Sequence, residues 1–351
     1  MLVESPPEER PEEQPEVAPA RRGRRAVRGI GLLVSVAVLA LVAGASLAIG
    51  ANPLSLTQVW HGLFQNSGSY TDVVVGERLW RTVLGLLAGA ALGLSGAVLQ
   101  ALTRNPLADP GLLGINTGAA AAVVTGLTFF GIGSLNGYVW FAFVGAAGVG
   151  VLVYALGGSR SATPVRLALA GTAVNAALYG YLQAVMIMDD AALGKMRFWT
   201  VGSLASANSA TITQVLPFLV VGTVLALGLA RPLNAVAMGD DTARALGAHL
   251  TRTRALSMLA ATLLCGAATA ACGPIAFVGL MVPHAVRSFT GPDLRWILPY
   301  ATVLAPVLLL GSDVIGRLVA RPAELQVGIV TAVVGGPVFV YLVRRRRMAQ
   351  L

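Results

Sequence analysis

Lysine is almost missing from this chain: Lys195 is the one lysine among 25 basic residues. Histidine (His61, His249, His284) and cysteine (Cys265, Cys272) are nearly as scarce. Two cysteines build no disulfide framework, and three scattered histidines lack the spacing of a metal cluster. Charge of either sign is short as well, at 12% of residues against about 25% in soluble domains. Apolar residues take the space, at 56% of the chain, with a mean hydropathy of +0.74. That composition excludes a soluble globular enzyme and a disordered protein. It also argues against a nucleic-acid-binding domain, so the net charge of +9 has to be read by location. Glycine, at 41 of 351 residues, suits close packing of helices in lipid.

Residues 1–28 stand apart. Six glutamates (Glu4, Glu8, Glu9, Glu12, Glu13, Glu16) and several prolines precede Arg21, Arg22, Arg24, Arg25 and Arg28. Little there can bury apolar surface against the cost of ordering, so the expectation is a disordered cytoplasmic tail. The apolar run that follows is too long for a signal-peptide core and is repeated many times downstream, so it reads as a first membrane helix. A helix needs about 20 apolar residues to cross the bilayer core. Runs of that kind fall near 30–49, 82–101, 112–131, 138–157, 165–187, 211–230, 255–272, 274–286, 297–318 and 325–343. The expected fold is therefore an all-α integral membrane protein of about ten transmembrane helices. Its transmembrane domain covers 29–347, and 348–351 form a short C-terminal tail.

Arginine sets the orientation. With both termini in the cytoplasm, Arg78, Arg81, Lys195, Arg197, Arg317 and Arg321 fall outside and the remaining 19 basic residues fall inside. The basic excess is then topology and attraction to the inner leaflet, and requires no nucleic acid. A faint internal echo links the segment opening at Arg81 with the one opening at Arg254, five spans later. It fits an inverted repeat or a shared Ala/Leu/Gly composition.

Three segments carry more information. In the stretch from Arg104 to Gly118, Pro106 and Pro110 stop a helix, and Gly111 and Gly114 permit sharp turns in a run that stays apolar. Asn105, Pro106, Pro110, Gly111, Gly114 and Asn116 are the candidates for lining a pathway, with a structural kink as the other reading. Arg231 to Arg254 is the longest polar cytoplasmic loop. There Asp240 or Asp241 can cap a short helix through Thr242, Ala243, Arg244, Ala245 and Leu246, and Gly247 suits its end. That is either a docking helix for a cytosolic partner or a solvated turn. Arg78, Arg81 and Arg317 lie at the outer side, against the general bias. They suit an acidic docking partner or interfacial anchoring.

Energy coupling is not visible. A phosphate-binding loop needs a lysine after glycine and before serine or threonine, but Lys195 precedes Met196. Asp313 is the one deep acidic candidate for ion coupling, and it falls near the outer end. Ser288 follows His284 by one turn without a convergent acid, so an intramembrane enzyme has little support.

Several motifs resemble one family. They are Arg78-Leu-Trp-Arg-Thr, Leu94-Ser-Gly-Ala-Val-Leu-Gln, Arg104-Asn-Pro-Leu-Ala-Asp-Pro-Gly, Gly239-Asp-Asp-Thr-Ala-Arg-Ala-Leu-Gly, Gly273-Pro-Ile-Ala-Phe-Val-Gly-Leu-Met-Val-Pro-His and Glu324-Leu-Gln-Val-Gly. Over about 30–345 the chain resembles binding-protein-dependent ABC importer permeases of the iron-chelate and vitamin B12 type, closest to the ferric enterobactin-type branch. Trp80 departs from the proline common in that family's first motif. The resemblance implies a permease subunit paired with a second, identical or paralogous, permease, and no cofactor of its own. ATP would act through a cytosolic ATPase dimer seated on Gly239 to Gly247. An extracytoplasmic binding protein would dock on Arg78, Arg81 and Arg317. The implied cargo is a ferric siderophore, with vitamin B12 or heme as the alternatives and an ion-coupled secondary transporter further off. The implied location is the cytoplasmic membrane.

Overall fold

The computed structural model describes residues 20–50, 52–65, 68–132, 135–158 and 164–347. Along them run α1 (Ala20–Ala48), α2 (Leu56–Phe64), α3 (Tyr70–Thr103), a 3-10 turn (Pro110–Leu113), α4 (Ile115–Phe130) and α5 (Leu135–Leu156). Then come α6 (Pro164–Met188), α7 (Asp190–Trp199), α8 (Ser209–Gly228), α9 (Ala230–Ala237) and α10 (Asp240–Ala245). The chain closes with α11 (Leu250–Cys272), α12 (Val278–Thr290), α13 (Leu294–Val319) and α14 (Val327–Arg347), with no strand among the described residues.

Each expected span meets a helix, but their ends move for local reasons. α1 begins at Ala20, inside the stretch assigned to the tail, because alanine and arginine are good helix formers. Residues 1–19 and 348–351 lie outside the described residues. α3 starts well before position 82: Ser69 accepts from the Asp72 N–H and Asp72 returns a bond, a reciprocal cap that extends the helix upstream. At 34 residues α3 is about 51 Å long, beyond the roughly 30 Å of hydrocarbon. Arg78 and Arg81 therefore lie within that helix instead of ahead of it. α12, with 13 residues, spans only about 20 Å, so the run near 274–286 is a half-length helix entered through irregular backbone.

Among the described residues six helices are long and apolar enough to cross a bilayer by length and composition: Arg25–Ala48, Tyr70–Thr103, Gly137–Leu156, Ser209–Gly228, Leu250–Cys272 and Leu294–Val319. α3 and α11 form the centre, each 78% buried over its most apolar window, while α1 is 11% buried and displays its apolar side chains outward. The inner helices approach closely where glycine removes the side chain. A methyl on Gly96 of α3 would overlap the Gly279 carbonyl of α12, and one on Gly89 would meet the Pro306 backbone of α13.

Candidate functional site

α9 and α10 form a small platform at the end of the molecule where α3 finishes and α11 begins. Ala243 is fully buried against Val236 and Leu250, which turns Thr242, Arg244, Ala245 and Leu246 outward. The expected aspartate cap is absent. Gly239, at φ 115°, precedes α10, and no side chain caps it. Asp240 acts as a bridge instead: one carboxylate oxygen accepts from Arg104 and the other from Arg254 Nη2 at 2.7 Å. Burial would raise this carboxyl's pKa, but the hydrogen bonds and charges of Arg254 and Arg104 outweigh it and hold it below the ordinary range. Arg244 pairs with the exposed Asp241 at 2.9 Å. Gly247, at φ 77°, turns the chain as its position required.

Arg104 joins this platform to the irregular segment after α3. It ends α3 in the left-handed region (φ 51°) and donates Nε to the Val236 carbonyl at 2.8 Å. Asp109 caps the 3-10 turn by accepting from the Gly111 N–H at 2.8 Å. The segment is held on two sides. Asn175 of α6 donates to the Gly111 carbonyl at 3.1 Å and accepts from Thr117, while Asn116 accepts from Thr269 of α11 at 2.9 Å. A cavity of 360 Å³ opens between the end of α3 and α6, lined by Asn105, Asp109, Leu113, Leu169 and Thr172. Of the six candidate lining residues only Asn105 borders that cavity. Pro106, Pro110 and Gly114 are packed inside, and Gly111 and Asn116 are half-buried and hydrogen-bonded.

The opposite end of α3 carries the arginine group, and most of its guanidinium surface is buried, where docking on an acidic partner would have suited exposed side chains. Arg317 is 1% and Arg78 8% exposed. Arg78 donates to the carbonyls of Leu47 and Ala48, both at 3.0 Å, and of Asn52 at 2.6 Å. Arg317 donates to Ser46 and Ile49, and Arg321 to Gly50 at 2.7 Å. Carbonyls left free at the end of α1 account for this: they need donors, and guanidinium supplies several in a fixed fork. Asp313, fully buried on α13, binds Arg81 at 2.8 Å and Arg317 at 3.0 Å. Arg81 also reaches the partly exposed Glu324 at 2.6 Å.

The sequence reading missed the partners in both groups. Asp313 and Arg317 stand four apart on one helix, a spacing that signals a pair. Arg104, Asp240 and Arg254 are far apart in the chain, and no local signal joins them.

The whole is an all-helical, multi-pass membrane protein with a polar platform at one end and a buried arginine–carboxylate group at the other. Residues 37–345 match the FecCD transport family, and the chain belongs to it. It is 45% identical over 328 residues to the ferric enterobactin transport system permease protein FepD of Escherichia coli K12, covering 92% of this chain and 96% of that one. The Fe(3+)-citrate import system permease protein YfmD of Bacillus subtilis is 37% identical, over 90% of this chain and 94% of its own. The hemin transport system permease protein HmuU of Yersinia pestis is 36% identical, over 90% and 95%. Among solved structures, an inward-facing metal-chelate type ABC transporter superposes with a TM-score of 0.80 at 28% identity, covering 90% of this chain and 99% of that one.

Proposed function

We propose that this chain is the permease subunit of an ATP-driven importer that moves a ferric siderophore across the cytoplasmic membrane. The supporting observation is the end-to-end 45% identity to a ferric enterobactin permease, over a family match that includes both polar ends. Vitamin B12 and heme are the less favoured cargoes. In this reading ten segments enter the membrane, α12 as a half-length one, and both termini face the cytoplasm. The platform then lies inside and the arginine group outside.

The mechanism follows from the placement of residues. Two cytosolic ATPase subunits bind beneath the permease, one of them on the outward face of α10, where Arg244, Ala245 and Leu246 stand clear of the fold. Asp240 ties α10 to α3 through Arg104 and to α11 through Arg254, so a push on α10 reaches both central helices. Arg104 also opens the 104–114 segment, so that push reaches Asn105 and the 360 Å³ cavity beside α6. ATP hydrolysis belongs to the partner, and the permease converts its motion into alternate opening of the path. A second permease subunit, identical or paralogous, completes that path.

At the outer end the binding protein docks over the arginine group. Arg81, 12% exposed and tied to the half-open Glu324, is the member nearest the surface. Arg78 and Arg317 shape the docking surface from below by holding the end of α1.

The reading is tested with the permease reconstituted in liposomes with its ATPase, second permease and binding protein. Uptake of a radiolabelled ferric siderophore should require ATP and the binding protein. Uptake that continues without the ATPase and collapses with an ion gradient would overturn it in favour of a secondary transporter.

A further inference from the structure

Lys195, the chain's one lysine, lies outside both polar groups. It projects from α7, one helical turn before Trp199, so both lie on the same face. Among the described residues it forms no salt bridge. The two residues share the wall of a cavity of 410 Å³ with Tyr138, Ser206 and Gln326, over a floor formed by the end of α11 at Cys272 and Gly273. Three breaks between helices meet at this floor. The Ser203 N–H donates to the Cys272 carbonyl at 2.7 Å, and the Gly328 N–H donates to the Gly202 carbonyl at 3.2 Å. The cavity is therefore set by packed backbone.

Its chemistry is one-sided. Lys195 supplies the only charge on the lining, and no carboxylate faces it there. Asp189, the residue before α7, is the nearest carboxylate: it caps the helix by accepting from the Ala191 and Ala192 N–H groups and interacts with the Lys195 charge from outside the lining. Trp199 and Tyr138 provide aromatic surface. Gln326 adds a polar side chain to the wall, with its amide oxygen buried in the protein and not turned to the open space. An ammonium beside aromatic rings suits a ligand that is anionic and itself aromatic, because ring contacts add to the ion pair.

Resting on the import reading, we infer that this cavity is a selectivity subsite for one aromatic arm of an anionic ferric catecholate. Lys195 faces the negatively charged iron-binding oxygens, and Trp199 and Tyr138 hold the ring. A ferric citrate complex brings charge without rings. A neutral ferric trihydroxamate brings neither, so both lose contacts this lining offers.

The test measures uptake by the complete reconstituted importer, offered a ferric tris-catecholate, ferric citrate and a neutral ferric trihydroxamate in turn. Lys195→Gln should raise KM for the tris-catecholate by about tenfold with kcat little changed, the size of one well-formed contact. Lys195→Arg should restore it, and Trp199→Leu should raise KM for the tris-catecholate more than for citrate. An unchanged KM, or an equal rise for the neutral chelate, overturns the subsite. So does a wild-type importer that moves citrate or trihydroxamate but not the tris-catecholate. A wild type that moves no ferric chelate overturns the import reading itself, which separates the two failures.

Discussion

The two ends of α3 solve the same problem in different surroundings. At one end Asp313 bridges Arg81 and Arg317; at the other Asp240 bridges Arg104 and Arg254. Arg81 and Arg104 are 23 positions apart, about 35 Å along the helix. The chemistry is nearly identical, but Asp313 is wholly buried whereas Asp240 keeps 30% of its side chain exposed. A carboxylate without water cannot lose a partner cheaply, so the first bridge acts as a lock. In the second bridge Arg104 and Asp240 both touch solvent and can exchange each other for water at small cost, while the buried Arg254 keeps its hold, so the Arg104 side acts as a joint. The faint echo between the segments opening at Arg81 and Arg254 gains content here, since each of those arginines holds the bridging aspartate at its own end.

The sharpest way to break the comparison is to remove one charge from each bridge. Asp313→Asn leaves Arg81 and Arg317 facing each other in a buried site. Loss of one partner of a buried ion pair costs about 3–5 kcal/mol. Thermal unfolding of the purified importer in detergent should show a large drop in melting temperature, with Asp313→Ala at least as severe. A shift no larger than that of a surface variant would show that Asp313 is not the lock.

Asp240→Asn should do less to stability and more to function. The Arg104 pair, exposed on both sides, contributes about 0.2–1 kcal/mol. Arg254, though only 8% exposed, keeps a carbonyl oxygen of the Asn to donate to. Melting should therefore fall less than in Asp313→Asn, while uptake per ATP hydrolysed falls severalfold. The sign of the pH effect follows from the lowered carboxyl. Folding with Arg254 and Arg104 in place favours the ionised form, so the contribution is complete above the unfolded value of about 3.8 and fades as pH falls through the lower folded value. The gap in melting temperature between wild type and Asp240→Asn should be constant near neutrality and close in acid. A gap that instead widens in acid would contradict the bridge.

How much of this was legible beforehand depends on distance along the chain. Local rules found a helix at each apolar run, because hydropathy acts through neighbours a turn or two away. They also placed Gly247, whose φ of 77° only glycine adopts at ease. They failed where a partner is remote. Asp240 looked like a cap because aspartate at a helix start usually is one; two arginines, 136 and 14 positions away, claim it instead. Arg78 and Arg317 read as docking or anchoring residues because the open carbonyls of α1 that they bind cannot be seen from either arginine's own segment. The subsite around Lys195 was illegible for the same reason, since its lining comes from five separate stretches of chain.

The smallest effect on stability belongs to Arg244, and it tests whether the joint has a handle. Its side chain is 63% exposed and its one ion-pair partner, Asp241, is fully exposed. Such an i, i+3 pair is worth only a few tenths of a kcal/mol, so Arg244→Glu should leave the melting temperature where it was. The same substitution reverses a charge on the outward face of α10, beside Ala245 and Leu246, where an ATPase would seat. Affinity of the purified permease for its ATPase should fall, and the size of that fall should depend on salt, since the change is one of charge at the contact. Gly247→Val strains a positive φ just beyond α10 and should uncouple uptake by tilting the same face. If both variants bind the ATPase and drive uptake as wild type does, the platform is a solvated turn and the force reaches α3 by another route.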